Sequence, residues 1–378
     1  MKVVNRIPFN VPFVPSGAAE AVVASLNSKK LAGDGPETAA ATSLLSSMFD
    51  NAGILLTPSC THALELAVRL INVGPGDEII VPSYTFTSTA NAIVLAGATP
   101  VFVDIEPQTQ NLDLEQVRMA LTERTKAIFC INYAGVSPLL PELKNLCEQN
   151  GVVLLEDNAH GLGAKSHNHK LGTFAALATQ SFHETKNIQC GEGGCLVIND
   201  SDYFENAEIL REKGTNRSRF FRGQVDKYTW VNVGSSWLLA DPLAALLRIQ
   251  IENFNIIQKL RADVWHRYSN ELASWAANNG HFQMSVPEVC EQPYHMYYLI
   301  MESLEQRSAF ISHLNERGVH AVFHYQPLHS SEAGKSFGKS IGDLPHTQRA
   351  ADCLVRLPLW AGMKSTDVDQ VVEAVLTF

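Results

Sequence analysis

A lysine and an aspartate, each close behind an apolar run, carry the most chemical information in this chain. Residues 152–155 read as a buried strand that ends in Glu156-Asp157-Asn158-Ala159-His160. Residues 179–182 read as a second strand that runs into His183-Glu184-Thr185-Lys186. A carboxylate at the end of a buried strand is costly unless a positive charge faces it. A lysine enclosed beside a cation gives up its proton more readily. An acid and a lysine so placed suit pyridoxal 5'-phosphate (PLP). The lysine forms a Schiff base with the cofactor, and the acid pairs with the pyridinium nitrogen and keeps the ring electron-withdrawing. Asp157 has a structural alternative, an ion pair with an arginine. His160 is a candidate hydrogen-bond partner near the ring oxygen, or a structural histidine.

Other residues fall where such a cofactor needs them. Ser59, Cys60 and Thr61 lie between a short strand and a helix. Hydroxyls and free amides at a helix start either cap the helix or hold an anion such as a phosphate. Phe86 follows a strand, where an aromatic ring either joins the core or stacks on a pyridine. Ser181 precedes Lys186 by five residues and offers a further hydroxyl, and Gly191-Glu192-Gly193-Gly194 allows a tight return into the next strand. The segment 211–230 holds six basic and two acidic residues within an acidic chain. Its Arg217, Arg219, Arg222, Lys227 and Tyr228 suit gripping a diphosphate and stacking on a base. A solvated loop, or one paired with acids of a partner subunit, is the alternative. His324, Tyr325 and His329 form a polar-aromatic cluster that either lines a substrate cleft or makes a turn.

The elements that must position these groups alternate. Strands are expected near 54–56, 78–81, 100–103, 127–131, 152–155, 179–182 and 195–198. Helices are expected near 61–71, 87–95, 114–121 and 141–150. In 61–71, Leu64, Ala67, Val68 and Ile71 carry helical spacing. The alternation predicts an α/β fold with a mostly parallel central sheet. Ligands of such sheets sit beyond the carboxyl ends of the strands, where the candidate residues fall. One long helix is expected over 241–268, connecting to a smaller α+β domain. The expected domains are 1–250, a large PLP-binding domain, and 251–378, a small C-terminal domain.

Bulk properties exclude several classes. The chain has 378 residues, 46% hydrophobic and 18% charged, as in an ordinary soluble globular protein. Its net charge of −10 argues against a nucleic-acid binder. The seven cysteines are scattered with no CxxC pair, so no metal site or disulfide framework is expected. No apolar stretch is long enough to span a membrane, and residues 1–6 lead into no leader-like core. A cytoplasmic protein with reduced thiols is the expectation.

The stretches Pro-Ser-Cys-Thr, Pro-Ser-Tyr-Thr-Phe, Glu-Asp-Asn-Ala-His, Ser-Phe-His-Glu-Thr-Lys-Asn and His-Tyr-Gln-Pro-Leu-His, in this order, resemble the sugar aminotransferases of the DegT/DnrJ/EryC1 family. The resemblance implies PLP fold type I, the aspartate aminotransferase-like architecture. It implies Lys186 as the Schiff-base lysine, Asp157 on the ring nitrogen and Phe86 on the ring face. It also implies Cys60, Thr61 and Ser181 on the phosphate, and a homodimer with shared active sites. Many members carry an asparagine, reaching the partner subunit's phosphate, where this chain has Ser236. Residues 211–230 with Gly234-Ser235-Ser236 resemble those members that use glutamate to aminate C4 of dTDP-4-keto-6-deoxyglucose. The product is dTDP-4-amino-4,6-dideoxygalactose, used in enterobacterial common antigen and O-antigen of lipopolysaccharide. Alternatives are an aminotransferase for another nucleotide keto-sugar, with a gluco C4 or C3 product, and a non-catalytic PLP-binding regulator. Lys186 opposes the regulator, and it opposes the related dehydratases that carry histidine at its position.

Overall fold

The computed structural model describes residues 6–137 and 139–378. Residues 1–5, read above for a leader, lie outside the described residues. An eight-stranded sheet forms the centre. Its order is Gly53–Thr57, Gly194–Ile198, Leu177–Ser181, Val153–Asp157, Thr125–Ile131, Glu78–Pro82, Thr99–Val103 and Lys339–Ser340. Gly194–Ile198 runs antiparallel to both its neighbours, and the other pairings are parallel. The parallel strands therefore end along one edge. Thr57, Pro82, Ile131, Asp157 and Ser181 close their strands there.

Alternate side chains of each strand enter different cores, because successive residues point to opposite faces. Ile79 and Val81 join one core and Ile80 another; Leu155 and Leu154 divide in the same way. Helices Cys60–Leu70 and Thr87–Leu95 cover the first face with Leu64, Ala67, Val68, Ala92 and Ile93. Each such fully buried Leu, Val or Ile side chain contributes about 1.5–3 kcal/mol. With helices on both faces, the sheet is held rigid and its ends are fixed in space.

A second, four-stranded antiparallel sheet has the order Phe282–Gln283, Tyr297–Ile300, Leu354–Leu357, Val322–Phe323. Its core includes Tyr84 and Tyr133 from the central sheet's loops, so the two sheets share one apolar body next to the strand ends. The mostly parallel sheet and the smaller α+β part match the expected fold class.

Two expectations are corrected. The single helix over 241–268 is two helices, Asp241–Glu252 and Phe254–Asn278. Asn253 leaves helical geometry at ψ 11° and its Nδ2 donates to the Ile249 carbonyl at 2.8 Å. Both helices are amphipathic, so the apolar pattern ran through the break. The basic segment is not simply a loop: Phe204–Arg211 and Arg217–Phe221 are helical. Among the described residues no helix is long and apolar enough to cross a membrane, and no side-chain group could hold a metal. The seven cysteines are free.

Candidate active site

A cavity of about 540 Å³ opens at the carboxyl edge of the central sheet. Ser59, Cys60, Thr61, Phe86, Asp157, His160, Ser181, Lys186, His324 and Tyr325 all line it. Its volume lies in the range of cofactor and small-ligand sites.

Helix Cys60–Leu70 begins at this edge. Ser59 is its N-cap, with Oγ accepting from the His62 amide at 3.2 Å. The first amides of a helix have no partner within it, and here those of Cys60 and Thr61 stand at the cavity. Thr61 Oγ1 and Ser88 Oγ share a 2.8 Å hydrogen bond. Ser88, in the first turn of Thr87–Leu95, also lines the cavity. Gly194 lies directly beneath this turn. A Cβ there would meet Cys60 N at 2.4 Å and the Ser59 carbonyl carbon at 2.5 Å. Burial holds the Cys60 thiol protonated.

Asp157 is buried at the end of its strand. Its Oδ2 accepts from Thr89 Oγ1 at 2.8 Å and its Oδ1 from the Ala159 amide at 3.2 Å. It makes no ion pair among the described residues. Burial raises its pKa, opposed by these bonds and by the Lys186 charge. Among the described residues no arginine pairs with it, so its carboxylate is left facing the cavity.

Lys186 sits in the turn between Leu177–Ser181 and Gly194–Ile198. Backbone bonds close that turn: the Phe182 amide to Gly193 O at 2.8 Å and the Glu184 amide to Gly191 O at 3.0 Å. Gly191 has φ 82°, a left-handed geometry that glycine adopts without strain. Enclosure lowers the Lys186 pKa to about 8; Arg356 adds to the lowering, and Cys60 and Asp157 oppose it.

Histidines and tyrosines form the opposite wall. His160 stacks on His295 with centroids 4.5 Å apart, and its Nδ1 faces the Ala134 amide at 3.4 Å. An amide can only donate, so the His160 proton lies on Nε2, toward Tyr325 OH at 3.4 Å. His324 Nδ1 bonds Tyr133 OH at 2.7 Å. Burial holds His160, His295 and His324 neutral. Phe86, 57% exposed, presents its ring at the same cavity.

The remaining candidates lie outside this cavity. His329 Nδ1 bonds Ser83 Oγ at 2.7 Å. Ser236 is exposed and bridges Glu212. Arg217, Arg219 and Arg222 pair with Glu212, Glu205 and Glu208 on the preceding helix or its end. Tyr228 is exposed and lies against Arg217 and Phe220, and Lys227 is exposed. Cavity residues that went unread as site residues in the sequence include Phe9, Ser88, His295 and Arg356. Arg356 had one usable signal, a lone cation inside the apolar run Leu354-Val355-Arg356-Leu357-Pro358-Leu359.

The residues fit PLP. A buried carboxylate without an ion pair, a lysine of lowered pKa, hydroxyls and amides at a helix start and an exposed ring are the donor set it requires.

Comparisons with known proteins agree. Residues 16–376 match the model of the DegT/DnrJ/EryC1/StrS aminotransferase family. An uncharacterized protein of Methanocaldococcus jannaschii, MJ1066, is 31% identical over 348 residues, covering 90% of this chain and 89% of that one. The aminotransferase TlmJ from Streptoalloteichus hindustanus superposes with a TM-score of 0.91 at 29% identity, covering 99% and 98% of the two chains. The putative sugar aminotransferase Spr1654 from Streptococcus pneumoniae, in its PLP form, gives 0.90 at 28% identity, covering 98% of each chain. The chain belongs to the DegT/DnrJ/EryC1/StrS aminotransferase family, and it is a PLP-dependent sugar aminotransferase.

Proposed function

We propose that this enzyme moves an amino group from glutamate to C4 of dTDP-4-keto-6-deoxyglucose, giving dTDP-4-amino-4,6-dideoxygalactose for cell-surface polysaccharide synthesis in the cytoplasm. The observation that carries the transamination is Lys186, lowered to about 8, in one cavity with the unpaired Asp157. The sugar rests on the likeness of residues 211–230 and 234–236 to the C4 enzymes.

When bound, PLP supplies an electron sink for the pair left as a C–H bond beside nitrogen breaks. Lys186 is the residue to hold it covalently, and its neutral Nζ then takes and returns the substrate proton. Asp157 would keep a positive charge on the ring nitrogen. Ser181, the Thr61–Ser88 pair and the amides of Cys60 and Thr61 would hold the phosphate. His160, protonated on Nε2, would donate toward the ring oxygen, and Phe86 would cover one ring face.

Phe221, Tyr228, Trp230, Val231 and Val233 are exposed, Trp230 by 74%. An aromatic and apolar surface beside the basic residues supports a homodimer, in which Ser236 and Arg217, Arg219, Arg222 and Lys227 face the partner's cavity.

The test is nuclear magnetic resonance of the product made from PLP, glutamate and dTDP-4-keto-6-deoxyglucose. An axial amine at C4 is expected. An equatorial amine would keep the reaction and correct its stereochemistry. No amination of this sugar would refute the substrate.

A further inference from the structure

Beside the large cavity lies a smaller pocket of about 10 Å³, room for one water. Lys186 and His295 line both. Gln180, Ser181 and Asn187 add polar groups to the wall of the smaller one. Among the described residues Lys186 Nζ makes no hydrogen bond or ion pair, and His295 is bonded through Nδ1 alone. The mechanism above gives His295 no role.

One backbone carbonyl decides how this pocket is polarised. Asn187, buried and next to Lys186 in the chain, makes three side-chain bonds. Its Nδ2 donates to Pro293 O at 2.6 Å and to Gln258 Oε1 at 2.8 Å, and its Oδ1 meets His295 Nδ1 at 2.8 Å. A carbonyl only accepts, so the amide must turn its nitrogen to Pro293 and its oxygen to His295. That oxygen also only accepts, so His295 carries its proton on Nδ1 and leaves Nε2 bare. Burial holds the ring neutral. Arg261 fixes the segment, with Nε donating to Tyr294 O at 2.9 Å and Nη2 to His295 O at 2.6 Å. The stacked rings of His160 and His295 thus carry opposite tautomers.

We propose that the small pocket holds one water between Lys186 Nζ and His295 Nε2, and that His295, locked by Asn187, is a positioning residue for the lysine. The inference rests on the reading of the large cavity as the transamination site. A bare Nε2 can only accept, so the water turns one hydrogen to it and its oxygen to Lys186. That oxygen takes one N–H of the free, neutral Nζ. The nitrogen lone pair is then left for the substrate proton. When Nζ takes that proton, its bond to the water becomes charge-assisted and stronger. The proton returns to the substrate, and none passes to His295. With the opposite tautomer the water would turn a hydrogen to Nζ and cover the lone pair that has to react.

The test begins with the amino form of the loaded enzyme, in which Lys186 is free. Its crystal structure should show one water within hydrogen-bond distance of both nitrogens, and nitrogen NMR of labelled histidine should show His295 bare at Nε2. His295→Phe keeps a ring against His160 without the acceptor, and His295→Gln returns an acceptor near the place of Nε2. Single turnovers with ordinary and α-deuterated glutamate are followed by absorbance. In His295→Phe the rate should fall about 10- to 100-fold, as for a misaligned reacting group, with a larger isotope effect. Half-saturating glutamate and PLP affinity should change little, and His295→Gln should recover part of the rate. A proton found on Nε2, no water between the two nitrogens, or a rate loss in His295→Phe matched by the loss of affinity would overturn the inference. The water and the tautomer, found in a wild type that moves no amino group, would keep the site and refute transamination.

Discussion

Thr89 Oγ1 donates to Asp157 Oδ2 at 2.8 Å, joining the first turn of one helix to the last residue of a neighbouring strand. The bond favours the ionised form of Asp157 and aims it, opposing the burial that raises its pKa. Thr89→Val removes this hydrogen bond to the carboxylate, and a 3.3 Å bond to Thr85 Oγ1, at nearly constant volume. PLP retention, measured by fluorescence titration, should weaken about tenfold. Asp157→Asn removes the charge itself, and turnover should fall on the order of 10²-fold or more. Wild-type affinity in Thr89→Val together with wild-type turnover in Asp157→Asn would remove Asp157 from the cofactor's ring nitrogen.

Lys186 should set the pH dependence of cofactor capture. Its pKa lies below that of a free lysine, at about 8, so the neutral amine becomes the major form as pH rises through that value. Only the neutral amine attacks an aldehyde. Capture of PLP by the cofactor-free enzyme, followed by stopped-flow absorbance, should speed up about tenfold per pH unit below the midpoint and level off above it. Arg356 lowers the Lys186 pKa, so Arg356→Met should move the midpoint upward. A midpoint near that of a free lysine would contradict the enclosure.

Gly194 is expected to tolerate no side chain. Its φ is ordinary, so the constraint is space: the atoms a Cβ would meet are backbone atoms of Ser59 and Cys60, which cannot swing aside. Gly194→Ala should cost about 1–3 kcal/mol in denaturant unfolding, with weaker PLP binding because the phosphate turn is displaced. Gly74, with open space around its Cβ position, is the matched control, and Gly74→Ala should be near neutral. Equal stability of the two variants would show that the turn beneath the phosphate is not fixed by this contact.

Much of the site was legible because it is local. Ser59 to Thr61, Phe86, Asp157, Ser181 and Lys186 each follow a strand marked by its own apolar run, and parallel strands bring their ends to one edge. Thr89, His295 and Arg356 were not legible for the opposite reason. Thr89 reaches Asp157 across 68 residues of sequence, and a threonine in a helix carries no mark of its partner. His295 and Arg356 reach the cavity only because the second sheet packs its strands against Tyr84 and Tyr133. The helical pattern over 241–268 hid the break at Asn253, since an amphipathic repeat continues in phase across one residue. The acids that pair with Arg219 and Arg222 come from helix Phe204–Arg211, which was not expected as a helix.

The central claim is that Lys186 of this chain passes nitrogen from glutamate to a sugar carbon. The most direct measurement mixes PLP-loaded enzyme with glutamate carrying heavy nitrogen, removes the excess, and adds dTDP-4-keto-6-deoxyglucose for a single turnover. Mass spectrometry and nuclear magnetic resonance then locate the label. The account predicts heavy nitrogen on C4 of the sugar, one per active site, and none with Lys186→Ala, whose cofactor also escapes covalent trapping by borohydride. Label transferred at the wild-type rate by Lys186→Ala, or a loaded wild type that leaves the nitrogen on glutamate, would contradict it.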